Sequence, residues 1–325
     1  MKKTGFLFDK RFMLHKTSSF HPEIPKRLSA IYQGIEQSGL IPELFLIKGE
    51  KAELKWIETV HDKNYIKNFK DACFKSKETF QSPDNQICTD SYETALLAVG
   101  GIIKTIDLIM QNNINNAFCA VRPPGHHAEK AKAIGFCYFN NIAIAAKYLQ
   151  IKWNIKNIGI IDFDVHHGNG TQNIFERDPT VFYYSIHEHP SFAFPGTGRE
   201  FEYGEEKGYG FTLNSPVLPG QGDSKYMELI KNDMVPGFER FKPEIILVST
   251  GFDAHMDDEM SDIMLSTKCF SWIMEQIIKI ADKYSNSRLV SILEGGYCLK
   301  RLPELAKNHV SIMINCAKDR IKDKV

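Results

Sequence analysis

The segment Ile-Ile-Asp-Phe-Asp-Val-His-His-Gly-Asn-Gly at 160–170 crowds carboxylates and imidazoles between an apolar run and two glycines. Side chains alternate along an extended strand, so Asp164 and His166 can project to one side. A carboxylate and an imidazole so placed can bind one small divalent ion. Asp253, in Ser-Thr-Gly-Phe-Asp-Ala-His at 249–255, is the natural third ligand. Three protein ligands with one position left open are the pattern of a catalytic zinc, not of a closed structural site.

A metal-activated water needs a base that works near neutral pH. Arg-Pro-Pro-Gly-His-His-Ala at 122–128 offers His126 and His127 on a stiffened loop. Each imidazole needs a partner to fix its tautomer, and Asp162 and Asn169 flank the metal pair. In Leu-Glu-Gly-Gly-Tyr at 293–297, two glycines let backbone approach a crowded centre. Tyr297 can offer its hydroxyl to a developing oxyanion.

These groups need strand ends to hold them. Apolar runs at 5–8, 117–121, 157–163, 181–186, 244–249 and 288–293 read as strands covered on both faces. Helical patterns fall at 26–37, 92–110, 141–149, 267–284 and 303–317. The alternation predicts an α/β protein with a parallel sheet. Ligands then gather outside the carboxyl ends of the strands, where His126, His127, Asp162, Asp164, His166, Asp253 and Tyr297 all lie.

Composition narrows the function classes. Of 325 residues, 43% are hydrophobic, enough for a sizeable core. Lys plus Arg and Asp plus Glu are 40 each, so no overall basic excess drives nucleic-acid binding. The 7 cysteines are odd in number and lack a CxxC pair, which argues against a disulfide framework. No apolar run approaches the ~18 residues of a membrane span. Asp9-Lys10-Arg11 cuts short the signal-like N-terminus. No Pro/Gly/Ser-rich linker divides the chain. The expectation is one domain over 1–325 in a reducing cytoplasm.

Taken together, these segments resemble the zinc-dependent histone deacetylase family, which includes bacterial acetylpolyamine amidohydrolases and acetoin-utilisation proteins. Gly-Phe-Cys-Tyr-Phe-Asn-Asn, Asp-Phe-Asp-Val-His-His-Gly-Asn-Gly-Thr-Gln, Phe-Pro-Gly-Thr-Gly and Gly-Phe-Asp-Ala-His also match, from about His21 to Leu302. The resemblance implies the arginase/deacetylase fold, an eight-stranded parallel sheet flanked by helices. It implies zinc on Asp164, His166 and Asp253, with Fe2+ or Co2+ able to substitute. It implies His127 as general base and acid, His126 as its electrostatic partner paired to Asp162, Asn169 orienting His127, and Tyr297 on the oxyanion. Asn169 is the class II choice, and Tyr297 stands where some vertebrate members carry His.

By the same resemblance, Phe136 and Phe194 wall an acyl-lysine tunnel, with the Gly135 carbonyl receiving the substrate N–H and Asp84 and Met260 at the rim. Asp162, Asp164 and His166, with Ser185 and Ile186, resemble a structural potassium (K+) site. Arg27 resembles an arginine lining the cavity through which acetate leaves. The expected substrate is an acylated lysine in a protein or peptide; the alternative is an acetylpolyamine. A non-catalytic acyl-lysine-binding scaffold fits poorly, because every catalytic position is intact. A two-manganese ureohydrolase would need more carboxylates. Asp257, Asp258, Glu259 and Asp262 read as a solvated acidic loop or as an attractor of cationic substrates, with Met260 where a polyamine-selective relative places its glutamate. The short chain fits a stand-alone bacterial enzyme. Oligomeric state stays open.

Overall fold

The apolar runs become the middle of one parallel sheet. The computed structural model describes residues 3–322, with side chains to residue 315. In chain order the strands are β1 (Lys3–Leu7), β2 (Leu44–Ile47), β3 (Thr79–Phe80), β4 (Ser82–Gln86), β5 (Ile114–Cys119), β6 (Ile158–Asp162), β7 (Val181–Glu188), β8 (Thr212–Val217), β9 (Ile245–Thr250) and β10 (Leu289–Leu293). β3 and β4 pair as a small antiparallel hairpin. The other eight form the α/β sheet expected from the sequence, in the order β2-β1-β5-β10-β9-β6-β7-β8 and parallel throughout.

Every residue of β6, β9 and β10 is buried, because helices cover both faces. Phe6 stacks on Phe118, whose ring lies 5.0 Å from His309 in the Leu302–Lys322 helix. Leu7, on the other face, packs against Gly101 of the Ser91–Met110 helix. β5, β10, β9 and β6 are consecutive neighbours, so the four loops that carry the reactive residues leave the sheet side by side.

Beneath those loops lies a buried ionic cluster. Glu23, Arg27 and Arg122 are each fully buried. Arg122 grips both Glu23 oxygens, with Nη2 donating to Oε2 at 2.6 Å. Arg27 Nη1 donates to Oε1 at 3.0 Å. Burial alone would raise the Glu23 carboxyl, but Arg122 and Arg27 overcome it and hold it well below the ordinary range.

His61 gives the fold an acid sensitivity. Its Nδ1 sits 3.0 Å from the Glu129 carbonyl, and its Nε2 accepts the Asn140 N–H at 2.8 Å. Asn140 in turn caps the Asn141–Lys152 helix by accepting from Ala143 N–H. Both ring nitrogens are thus satisfied only in the neutral form. Burial pushes His61 down to about 4. Between the ordinary value of 6.5 and about 4, the unfolded chain binds a proton that the native one excludes. Stability therefore falls as pH drops through that window, by about 3 kcal/mol in full from this residue. Calorimetry from pH 7 to pH 4.5 should show Tm falling less steeply in His61→Gln than in the parent. Parallel slopes would exclude His61 as a contributor.

Candidate active site

The chain leaves β6 at Asp162 and turns along its own carboxylates. Asp162 Oδ1 accepts the Asp164 N–H at 3.2 Å, Asp164 Oδ1 accepts the His166 N–H at 2.9 Å, and Asp253 Oδ1 accepts the Val165 N–H at 3.1 Å. This threading turns His166 Nδ1 toward both acids, 3.2 Å from Asp164 Oδ1 and 3.3 Å from Asp253 Oδ2. One ligand atom from each of Asp164, His166 and Asp253 lies within 4.8 Å of the others. All three residues are buried. Gly295 makes room for them: its N–H donates to Asp164 Oδ2 at 2.7 Å, and a Cβ there would stand 2.0 Å from Asp253 Oδ2.

The trio fits a divalent cation. Asp253 Oδ2 is buried and accepts no hydrogen bond. Among the described residues, Asp164 and Asp253 form ion pairs only with histidines. Two buried carboxylates side by side are costly without a positive charge. Burial and the Asp164 carboxylate accordingly push the Asp253 carboxyl up.

The two adjacent histidines have opposite environments. Their rings are 3.9 Å apart. His126 Nδ1 lies 3.1 Å from Asp162 Oδ2. Burial works against its charge, yet Asp162, Asp164 and Glu294 prevail and raise it to about 10. His127 is held well below its ordinary value by burial, then by His126 and His166. Its Nδ1 lies 2.9 Å from Asn169 Oδ1, while Asn169 Nδ2 donates to Glu129 Oε1 at 2.9 Å. That relay places the His127 proton on Nδ1 and leaves Nε2 as a bare lone pair.

A cavity of about 160 Å3 leads to this centre, lined by Asp84, His127, Gly135, Phe136, His166, Phe194, Met260 and Tyr297. The Phe194 ring meets His127 edge-on at 5.0 Å. Phe136 has φ +66°, and its N–H donates to Asn85 Oδ1 at 2.8 Å. Gly135 has φ +58°, and a Cβ there would lie 2.4 Å from His127 Cδ2. The Tyr297 ring lies 4.7 Å from the Arg27 guanidinium carbon, and burial keeps its phenol protonated. The site therefore combines a cation cradle, a neutral imidazole, a phenol donor and two apolar walls.

The tunnel and rim residues expected from the sequence, Gly135, Phe136, Phe194, Asp84 and Met260, line this space, whereas Arg27 does not. Ser185 faces Asp162 across the β6–β7 ladder, beside Ile186, and its Oγ lies 2.7 Å from His187 Nδ1. The acidic loop needs correction. Asp258 is buried rather than solvated, and it accepts backbone N–H groups from Tyr297, Cys298 and Met260. Asp257 pairs with Arg301 at 2.5 Å. Glu259 is exposed and does not line the cavity, whereas Met260 does.

Sequence reasoning also passed over Glu294, Glu129 and Glu23. Glu294 Oε2 accepts the N–H groups of Gly125 at 2.6 Å and His126 at 3.1 Å, fixing the histidine loop. Glu23 stands four residues before Arg27, a spacing that marks a possible helical ion pair. No spacing signal points to Glu129 or Glu294.

Comparisons with known proteins point to one family. The family model described as the histone deacetylase domain matches residues 21–313. A probable deacetylase of Archaeoglobus fulgidus is 36% identical over 299 residues, covering 91% of this chain and 82% of that protein. A histone deacetylase-like amidohydrolase of Pseudomonas aeruginosa is 32% identical over 319 residues, covering 93% and 83%. The crystal structure of the HDA15 HD domain superimposes with a TM-score of 0.90 at 31% identity, covering 97% of this chain and 88% of that one.

Proposed function

Because this chain belongs to the histone deacetylase family, we propose that it is a zinc-dependent hydrolase removing acetyl or other short acyl groups from the ε-amine of lysine in proteins or peptides. The observation that carries this reading is the placement of His127 and Tyr297 beside the Asp164–His166–Asp253 trio at the end of one apolar-walled cavity. Asp164, His166 and Asp253 would hold the zinc ion, and the same oxygen and nitrogen donors suit Fe2+ or Co2+. When bound, the ion supplies Lewis acidity that polarises the acyl carbonyl and makes water easier to deprotonate.

The chain's own groups supply the rest. Phe136 and Phe194 pack on the methylene chain, and the Gly135 carbonyl can accept the amide N–H. His127 takes the water proton at Nε2 as the water oxygen bonds to the acyl carbon. His126, held charged by Asp162, discourages a second proton on the pair. Tyr297 donates to the oxygen that gains negative charge. His127 then returns the proton to the leaving nitrogen as the C–N bond breaks, giving a carboxylic acid and an amine, which become carboxylate and ammonium by proton transfer. Main-chain oxygens of Asp162, Asp164 and His166, with Ser185 and Ile186, are proposed to hold K+ close by.

Met260 at the cavity wall, with Glu259 outside it, favours a neutral methylene chain over a polyamine. Zinc-loaded protein is therefore expected to turn over an acetyl-lysine peptide at least about tenfold faster, by kcat/KM, than N-acetylputrescine or N-acetylspermidine. Polyamine-dominant turnover would overturn the lysine assignment. Absence of turnover on any short-chain acyl amine would overturn the enzymatic reading.

A further inference from the structure

One buried carboxylate near the cavity takes no part in the chemistry above. Asp258 is 6% exposed. Its Oδ2 accepts the N–H of Tyr297 at 2.6 Å and of Cys298 at 2.8 Å, while its Oδ1 accepts the N–H of Met260 at 3.1 Å. No ion pair within 4.0 Å ties it to a cation among the described residues. Its acceptor capacity is spent on backbone. Three donors converging on one aspartate fix the bases of two cavity walls at once.

The loop that carries Tyr297 hangs between two acids. At its start, Gly295 N–H is held by Asp164 Oδ2 at 2.7 Å. At its end, Asp258 holds Tyr297 and Cys298. Between them Gly296 sits at φ +106°, with its carbonyl accepting Arg27 Nε at 2.6 Å. A glycine in that region leaves the backbone free to pivot unless both sides are anchored. The phenol hydroxyl lies at the far end of a long side chain, so a small rotation at the Tyr297 nitrogen moves it appreciably. A displacement of about 1 Å in a reacting group can cost on the order of 10²-fold in rate.

We propose that Asp258 is a positioning residue: by clamping the Tyr297, Cys298 and Met260 amides it aims the Tyr297 hydroxyl at the acyl oxygen above the Asp164–His166–Asp253 trio. This rests on the reading of Tyr297 as oxyanion donor. It assigns to a residue of the apparent acidic loop a task inside the site. The neighbouring acids are not equivalent to it. Asp257 is bound to Arg301 at the surface, and Glu259 is exposed.

A double-mutant cycle on the zinc-loaded full chain tests it. Asp258→Ala should lower kcat on an acetyl-lysine peptide by on the order of 10²-fold, with zinc content unchanged and KM within about threefold. Asp258→Asn keeps one acceptor oxygen and should recover part of the loss. In a Tyr297→Phe background, either Asp258 variant should cost no more than about twofold further, because the hydroxyl it aims is gone. Losses that multiply in that background, or an unchanged kcat in Asp258→Ala, overturn the proposal. Should Asp258→Ala fail to fold, Asp258→Asn carries the cycle. A crystal structure of Asp258→Asn gives a readout independent of turnover. A displaced Tyr297 is expected, and an unmoved one overturns the proposal. A wild-type protein inactive on every acyl amine overturns the proposed function instead, and that structure still decides the placement of Tyr297.

Discussion

Asp253→Ala is expected to yield a folded protein that binds no stoichiometric zinc and turns over an acetyl-lysine peptide about 10⁴-fold more slowly than the parent. The size of the effect follows from the donor set. Only one imidazole and one carboxylate remain, too few for a tight divalent site. Gly295 and Gly251 bring bare backbone, not a donor side chain, against the two carboxylates. Thermal stability provides a second readout. Added zinc should raise the Tm of the parent, because a ligand that binds only the native state stabilises it by mass action. The same addition should leave Asp253→Ala unmoved. The metal-free variant should melt no lower than the metal-free parent, since deleting one of two adjacent buried carboxylates relieves their repulsion. Elemental analysis, peptide turnover and differential scanning calorimetry together check this. A variant that retains one zinc per chain would remove Asp253 from the ligand set.

His127→Ala separates proton transfer from metal binding. Zinc content should stay at the parental level, KM should change little, and kcat should fall by about 10²–10⁴-fold, the range for loss of a general base. The imidazole lies beside the trio without belonging to it, and its protonation is fixed from behind by Asn169 and Glu129. Asn169→Ala should therefore lose less, about 10–100-fold, because the ring stays while its tautomer loses its lock. Equal losses in the two variants would mean that orientation, not the base itself, limits the rate. Zinc lost together with activity in His127→Ala would place that imidazole among the ligands.

The legibility of this protein divides along physical lines. Central strands were readable because burial on both faces demands an unbroken apolar run, as in Ile158–Asp162 and Ile245–Thr250. The edges were not. β2 is only Leu44–Ile47, with its middle residues exposed, and β8 carries Asn214, Ser215 and Pro216, which an edge strand tolerates. The Lys63–Phe74 helix did leave a signal, with Tyr65, Ile66, Phe69, Ala72 and Cys73 on one buried face behind the capping Asp62. Within the site, Asp164, His166, Asp253 and the histidine pair stood out because their residue types have few other uses in such company. Asp258 did not, because charge along the chain looks the same whether an aspartate faces water or three amides. Its contacts appear only where Tyr297 and Cys298, far along the chain, reach it.

The Glu23 cluster constrains how this sequence can change. One carboxylate bridges two guanidiniums that arrive from different segments, and all three side chains are sealed from water. Losing Glu23 strands two buried guanidinium charges at once, at a cost of about 3–5 kcal/mol or more against a total stability of about 5–15 kcal/mol. An uncharged substitute of the same volume would need to alter three codons together. Drift by a single step at Glu23 is therefore closed beneath the catalytic loops, while the exposed Glu259 remains open to it. Over generations, new substrate preferences should arise at the rim, above a floor that can be inherited only whole.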